Sequence, residues 1–400
     1  MSKPTIDQQI EQLGRRSERI LPEDHLRKKL EASAKTGKPL RIKFGMDPTA
    51  PDVTLGHAVP LKIIRQFQDW GHKAVIIIGD YTARVGDPSG RNSTRPMLSG
   101  EEIDRNAVTY LNQITMILRS DPALLEVRRN SEWLGKMDLL DIIRLAAKKT
   151  VGQMLERDTF AERYKAGRPI SIHEFIYPLL QGWDSVCIDA DVEMGGSDQL
   201  FNNLVGRELQ QEAGGDGQCV IVTPLLVGLD GVEKMSKSKK NYIGVTDPPS
   251  GNDGMFGKTM SIPDTLMDNY YQLLTDVPES QYKADIAKNP LGAKMALARY
   301  IIKWFHGPDG AAAAQADWDR RRAGQAPVDM PQVQVGPGPH KVAPLLVKAG
   351  LAASNSEGIR KIKEGAVQID GQKVSDPQQE IAVTAPVVLK LGRKFARVLP

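Results

Sequence analysis

The sequence predicts an α/β protein: a doubly wound parallel sheet, then a helical region, then a small α+β module at the C-terminus. Three observations lead there. A helical pattern over residues 55–70 lies between a short strand at residues 41–46 (RIKFGM) and the continuous apolar run AVIIIG at residues 74–79; such a run is the mark of a buried parallel strand. Residues 264–321 carry apolar side chains at helical spacing. Residues 323–339 (AGQAPVDMPQVQVGPGP) are rich in Pro and Gly and have no periodicity, so they read as a linker.

The strand, helix and strand at 41–79 make a βαβ unit with a right-handed crossover. Leu61, Ile64 and Phe67 share one helix face, and Gly71 ends the helix. Helical patterns follow at 101–119, 139–163 and 171–188. A Gly-Gly pair at 195–196 precedes a helix near 198–213, and residues 219–222 resume the sheet. The domains expected are therefore a catalytic body at 1–240 with inserted helices at about 100–190, a helical domain at 241–322, a linker at 323–340 and a terminal module at 341–400. Open sheets of this kind bind ligands beyond the C-terminal ends of their strands, which puts residues 47–57 and 80–95 at the edge that matters.

Composition sets bounds on function. Hydrophobic residues make up 40% and charged residues 26% of 400, the balance of a globular protein large enough for two or three domains. No apolar run approaches the roughly 18 residues of a membrane span, and the polar N-terminus lacks a signal-peptide core. Cys187 and Cys219 are the only cysteines and lie far apart. That pattern suits a reducing cytoplasm and supplies no metal-ligand pair. The net charge of +4 is unevenly spread: from residue 340 on, ten Lys/Arg against five Asp/Glu leave +5, and −1 for the rest. A small basic unit on a near-neutral body is the footprint of nucleic-acid contact, or simply a basic face.

Two segments carry chemistry. The first is Asp47 to His57, at the start of the first helix. A helix N-terminus offers unpaired amides and a partial positive charge to an anion. Thr49, Thr54 and His57 can donate to phosphate oxygens, and Gly56 lets a flat ring approach the backbone; equally, Thr54 could be no more than a helix cap. The second is residues 232–241 (VEKMSKSKKN), a basic loop after the last strand of the sheet. By composition it could be only a solvated loop. However, Lys-Met-Ser-Lys-Ser at 234–238 resembles, letter for letter, the second motif of the class I aminoacyl-tRNA synthetases. Thr54-Leu55-Gly56-His57 is similar to that family's His-Ile-Gly-His, with Thr54 in place of the first His. The resemblance implies amino-acid adenylation by ATP. Lys234 and Lys237 would neutralise the leaving pyrophosphate, with His57, Thr49 and Thr54 on the facing side. Magnesium is expected only as the counter-ion of ATP.

Further segments resemble the tyrosyl-tRNA synthetases in particular: Phe44-Gly-Met-Asp-Pro-Thr-Ala, Gly86-Asp-Pro-Ser-Gly-Arg91, Tyr177-Pro-Leu-Leu-Gln-Gly-Trp-Asp184 and Gly195-Gly-Ser-Asp-Gln199. The spacing of Tyr177, Gln181 and Asp184 puts a polar stripe on one helix face, and such a stripe needs a partner when buried. By the resemblance, Tyr177, Gln181 and Asp87 take the substrate amino group and Asp184 its phenolic hydroxyl. Asp198 takes the ribose with Gln199 nearby, while Gly45 and Asp47 sit beside the nucleotide. Lys43 stands where many tyrosyl enzymes have a second hydroxyl-binding Tyr; either that contact is rebuilt or Lys43 neutralises Asp184. Arg91 stands where some members have Lys. These departures resemble a bacterial subgroup that keeps Lys-Met-Ser-Lys-Ser unmodified.

The terminal module reads as a short apolar helix at 342–353, a capping box at Ser354–Glu357 opening a second helix, and two strands joined by Asp370-Gly371. It resembles the alpha-L RNA-binding motif, which implies phosphate contacts from Arg360, Lys361, Lys363, Lys373, Arg393 and Lys394. Gly358 stands where Ala is commoner and should cost its helix about 1 kcal/mol. The resemblance as a whole implies a cytoplasmic tyrosine:tRNA ligase using ATP and tRNA, and a homodimer joined through helices between about 130 and 175. The sister tryptophanyl family would not be expected to end in a basic module. An RNA-binding protein that had lost charging activity would not be expected to keep both an intact Lys-Met-Ser-Lys-Ser and an intact Tyr177/Gln181/Asp184 face.

Overall fold

The structure is a computed structural model and describes residues 3–49, 52–88, 99–251, 253–327, 330–392 and 394–400. Arg91 and Arg393 lie outside these. The chain divides into two compact units, one of Met1–Thr246 with Ser261–Leu297, the other of Asp247–Met260 with Ala298–Pro400.

The first unit is built on a six-stranded sheet. Its strands are β1 (Arg19–Leu21), β2 (Arg41–Met46), β3 (Lys73–Ile78), β4 (Leu125–Arg129), β5 (Val192–Gly196) and β6 (Cys219–Thr223), in the order β1-β6-β5-β2-β3-β4. The five strands β2 to β6 run parallel. Strand β1 pairs antiparallel with β6, so the sheet is parallel with one reversed edge. From β2 the chain winds outward through β3 and β4, then returns to β5 and β6 on the other side. The switch point therefore lies between β2 and β5. Val75, Ile76 and Ile77 of β3 are at most 1% exposed, as a strand covered on both faces requires.

The helix Leu55–Asp69 lies where its periodicity puts it. The stretch 139–163 does not form one helix. It breaks into Leu139–Ala146, Val151–Met154 and Asp158–Lys165; the second piece is opened by Thr150, whose side chain accepts the Gln153 amide and so starts a new helix. Strands β1 and β4 gave no apolar run to read, since both are short and largely half-buried.

Residues 241–322 are shared between the two units rather than forming one domain. Within the first, the Tyr271 hydroxyl donates to the Ala293 carbonyl and Lys294 to that of Ile262. Within the second, Phe256 packs on Trp318, ring centroids 5.6 Å apart. The continuous helical periodicity hides this division.

The second unit also holds the basic module. Its strands are β7 (Gln332–Gln334), β8 (Gly338–Lys341), β9 (Val367–Ile369), β10 (Gln372–Lys373), β11 (Glu380–Val383), β12 (Val387–Leu391) and β13 (Lys394–Leu399). Five form a sheet in the order β10-β9-β12-β13-β7, and β11 pairs with β8. Residues 332–340, read above as linker, thus belong to the module: β7 lies parallel to β13, and its three residues are too few to show periodicity among prolines and glycines. Helices Val342–Lys348 and Asn355–Lys363 cover a core of Val342, Leu346, Ile362, Val367 and Leu389. Ser354 caps the second helix, but the Glu357 carboxylate accepts from the Ala353 amide rather than closing a full box. Gly358 has a packing reason. A Cβ there would lie 3.2 Å from the Ala343 carbonyl oxygen, so glycine brings the two helices together. Asp370 and Gly371, with φ of 47° and 83°, form the turn between β9 and β10.

Candidate active site

A cleft of about 850 Å³ opens beyond the C-terminal ends of β2 and β5. Gly45, Asp47, Thr49, Thr54, Gly56, His57, Asp87, Tyr177, Gln181, Asp184, Asp198, Gln199, Lys234 and Lys237 all line it, and Lys43 does not. Residues more than 180 positions apart in sequence are thus gathered by the switch point.

At one end stands the start of the helix Leu55–Asp69. Thr54 is its N-cap and is 1% exposed, so it caps the helix and lines the cleft at once. The Thr54 amide donates to His57 Nδ1 at 3.1 Å, and the Thr54 hydroxyl lies 2.9 Å from the same nitrogen. A backbone amide can only donate, so Nδ1 accepts and neutral His57 carries its proton on Nε2. Burial first, and then the charges of Lys237 and Lys234, pull the imidazole down to about 4. His57 therefore offers a hydrogen-bond donor and no positive charge near pH 7.

The basic loop is fixed through its backbone. Asn241, 4% exposed, donates to Asp230 and to the Lys234 carbonyl and accepts from the Ser236 amide. Just beyond the loop, the amides of Leu55 and Val245 bond the carbonyls of Ile243 and Val53. The two motifs, about 180 residues apart, are thereby stitched into one wall. The lysine side chains reach across the cleft: Lys234 Nζ lies 2.7 Å from Asp198 Oδ2, and Lys237 Nζ 2.9 Å from Asp52 Oδ2.

At the other end the helix Ile172–Cys187 presents its polar stripe. The Tyr177 hydroxyl donates to Asp47 Oδ2 at 3.0 Å, and Thr82 donates to the other oxygen at 2.8 Å. Gln199 Nε2 donates to Asp87 at 3.0 Å. Asp184, 3% exposed, accepts from Trp133 Nε1 at 2.8 Å and Asn130 Nδ2 at 3.3 Å. Desolvation outweighs these donors and the Lys43 charge, and pushes its carboxyl up to about 7. Lys43 makes no direct contact with Asp184; it pairs with Glu193 at 2.9 Å. Cross-strand neighbours in β2 and β5 share a face, so that register decides its partner.

Sequence reasoning missed Asn130, Trp133, Thr82, Asp52, Asn241 and Gly79. No local signal marks Asn130, Trp133, Thr82 and Asp52, because each acts through a partner distant in sequence. Asn241 acts on its own loop, where a lone Asn after the lysines gives no sign of the contacts it makes. Gly79 had a signal, the glycine ending the apolar run, but its reason is spatial. A Cβ there would fall 2.1 Å from Asp47 Oδ1. Asp80 is held by the Ser131 amide and hydroxyl at 3.0 and 2.7 Å, away from the cleft lining.

In the second unit, Arg360, Lys361 and Lys363 lie on the helix Asn355–Lys363, and Lys373 and Lys394 on β10 and β13. Arg360, Lys363, Lys373 and Lys394 are exposed. Glu364 pairs with Lys361 at 2.7 Å and lies 3.8 Å from Arg360, so part of this charge is met within the helix.

Residues 35–321 match the family described as tRNA synthetases class I (W and Y), and residues 323–394 match the tyrosine–tRNA ligase SYY-like C-terminal domain. The tyrosine–tRNA ligase of Bordetella bronchiseptica is 49% identical over 99% of this chain and 97% of its own. The chain belongs to the class I tyrosyl-tRNA synthetase family. The Ralstonia nicotianae member of this family is 50% identical over 93% of this chain and 95% of its own. A C-terminally truncated mitochondrial tyrosyl-tRNA synthetase of Aspergillus nidulans aligns with a TM-score of 0.63 over 78% of this chain and 93% of that one. At 24% identity that likeness speaks for the fold alone.

Proposed function

We propose that this chain is a tyrosine:tRNA ligase, which activates L-tyrosine with ATP to tyrosyl-adenylate and passes the tyrosine to the 3′ end of tRNA(Tyr). One observation carries the reading: a single cleft joins the loop lysines Lys234 and Lys237 to the buried acceptor Asp184. In-line attack of a carboxylate on the α-phosphorus needs positioning and charge neutralisation more than covalent chemistry. Lys234, Lys237, Thr49 and neutral His57 supply donors for the phosphates, with Thr54 orienting His57. Gly45, Asp47, Gly56, Asp198 and Gln199 border the nucleotide, Asp198 taking the ribose. Tyr177, Gln181 and Asp87 hold the amino group of tyrosine, and Asp184 its hydroxyl. Magnesium enters with ATP as its counter-ion; among the described residues no group of three His, Cys, Asp or Glu could hold a metal ion.

Arg360, Lys361, Lys363, Lys373, Arg393 and Lys394 form the RNA contact, giving salt-dependent, largely shape-based binding. The expected result is tyrosine-dependent exchange of labelled pyrophosphate into ATP. A chain ending at Arg322 should keep that exchange and lose tRNA charging. Absence of exchange, or equal charging by both forms, would reject the corresponding part of the reading.

The protein works in the cytoplasm as a homodimer. No helix among the described residues is long and apolar enough to cross a membrane, and both cysteines are free. Leu139, Ile143, Val151, Tyr164 and Ile172 are 55–76% exposed, a density of surface apolar groups that points to a covered face. Ile143→Asp should halve the sedimenting mass from twice the 44.0 kDa of the chain; an unchanged mass would move the interface elsewhere.

A further inference from the structure

We propose that Lys43 and Glu193 form a buried positioning pair that sets selectivity for the phenolic end of the substrate, by fixing the helix segment that carries Gln181 and Asp184. The proposal rests on the assignment of Asp184 as the acceptor of the tyrosine hydroxyl.

Lys43 is fully buried and Glu193 1% exposed. An ammonium has three donors, and all three are used: on the Gln181 carbonyl at 2.8 Å, Ser185 Oγ at 2.6 Å and Glu193 Oε1 at 2.9 Å. The Ser185 hydroxyl donates in turn to Glu193 Oε2 at 3.1 Å, and Gln218 donates to the same oxygen. Gln181 Nε2 reaches Glu193 Oε1 at 3.3 Å, and its Oε1 accepts from Asn202 at 2.9 Å. Gln181 is thus held by backbone and by side chain, and Ser185 by both members of the pair. Asp184 lies between these two anchors on the helix.

Packing alone does not call for such a pair. The neighbouring register position, Ile42 opposite Val192, is apolar and fully buried. Well-packed apolar residues in place of a buried ion pair are often neutral for stability or better. The charges at 43 and 193 therefore answer to something besides folding, and what they hold is the substrate-facing stripe. Electrostatics point the same way. Asp184 interacts with Lys43 and Glu193 from the sheet, Trp133 and Asn130 from the segment after β4, and Tyr177 and Cys187 from its own helix. Of these groups only Lys43 brings a positive charge, and that charge favours the ionised, proton-accepting carboxylate.

The test compares the parent with Lys43→Met/Glu193→Met, which removes the pair together, and with Glu193→Gln. For each, kcat/KM for tyrosine and for phenylalanine is read from pyrophosphate exchange across pH, alongside thermal melting. The double variant should melt close to the parent. Its tyrosine-to-phenylalanine ratio should fall by about tenfold or more, the factor for one pH unit of displaced ionisation. The loss should appear as a raised KM for tyrosine, with the acid limb of the profile moved to higher pH. A folded double variant with the parent's ratio and acid limb would overturn the proposal. Should the double variant not fold, Glu193→Gln decides on the ratio alone. Loss of Glu193 by itself favours an ionised Asp184, so a fallen ratio reports lost positioning and supports the proposal, and an unchanged or raised ratio overturns it. Asp184→Asn separates the two levels. If it keeps the ratio, the hydroxyl assignment itself fails; if only Asp184→Asn loses the ratio, the positioning pair alone fails.

Discussion

Replacing Lys234 or Lys237 by alanine should slow adenylate formation by roughly 10²–10³-fold, the usual effect of removing one preorganised donor to a charge that develops in the transition state. Tyrosine binding should change little, because neither side chain borders the Tyr177/Gln181/Asp184 stripe. Both lysines stand ready and lightly held. Lys234 pairs with Asp198 and Lys237 with Asp52, with side chains 43%, 28%, 21% and 40% exposed in that order. Ion pairs this open contribute about 0–1 kcal/mol. A triphosphate, with several charges inside the same cleft, competes with either carboxylate easily. The backbone that carries the lysines is held far more firmly, through Asn241 and the bonds of residues 243–245 to 53–55. Phosphate capture therefore asks for a swing of side chains and no refolding of the loop. Single-turnover formation of the adenylate, beside the dissociation constant of tyrosine, separates the two steps. An unchanged rate in both variants would remove the loop from the chemistry.

Much of this arrangement could be read from the chain because it is local. The βαβ unit announces itself by a period of 3.6 beside a run of buried residues. The loop at 234–238 and the stripe at 177, 181 and 184 each occupy a few consecutive turns. What escaped was whatever two distant segments make together. The chain alone leaves Lys43 either neutralising Asp184 or standing beside a rebuilt hydroxyl contact; strand register pairs it with Glu193, and its charge reaches Asp184 from there. Asn130 and Trp133 follow a strand too short to show alternation, and only the fold carries them under Asp184. Gly79 and Gly358 looked like punctuation and a weak helix residue. At Gly79 the Asp47 carboxylate comes too close for a Cβ, and at Gly358 the Ala343 backbone leaves a Cβ only a tight fit. Residues 332–340 look like linker because two short strands among prolines and glycines carry no periodicity, although those strands complete the sheets of the module.

Asp184→Ala should cut the preference for tyrosine over phenylalanine by ten- to a hundred-fold, the worth of a hydrogen bond to a charged group at about 1.5–3 kcal/mol. Tyrosyl enzymes are themselves the standing example of such discrimination. In the parent the same preference should depend on pH. Burial raises the Asp184 carboxyl from its usual 3.8 to about 7. Below that point the group is increasingly protonated and no longer needs the substrate's proton, so the tyrosine-to-phenylalanine ratio should climb through pH 7 and level off above it. Stability should run the other way. A carboxyl whose folded value exceeds its unfolded one adds stability that is fully present below about 3.8 and lost as the pH rises through about 7. At roughly 1.4 kcal/mol per pH unit, holding Asp184 ionised costs the fold a few kcal/mol above neutrality. Asp184→Asn, which keeps the shape without the charge, should therefore melt higher than the parent at pH 8 and no higher at pH 4. A tyrosine preference flat between pH 6 and 8, with equal melting of the two proteins at pH 8, would mean that Asp184 is fully ionised throughout. The hydroxyl would then meet an ordinary carboxylate, and the buried donors Trp133 and Asn130 would be strong enough to cancel the cost of taking it out of water.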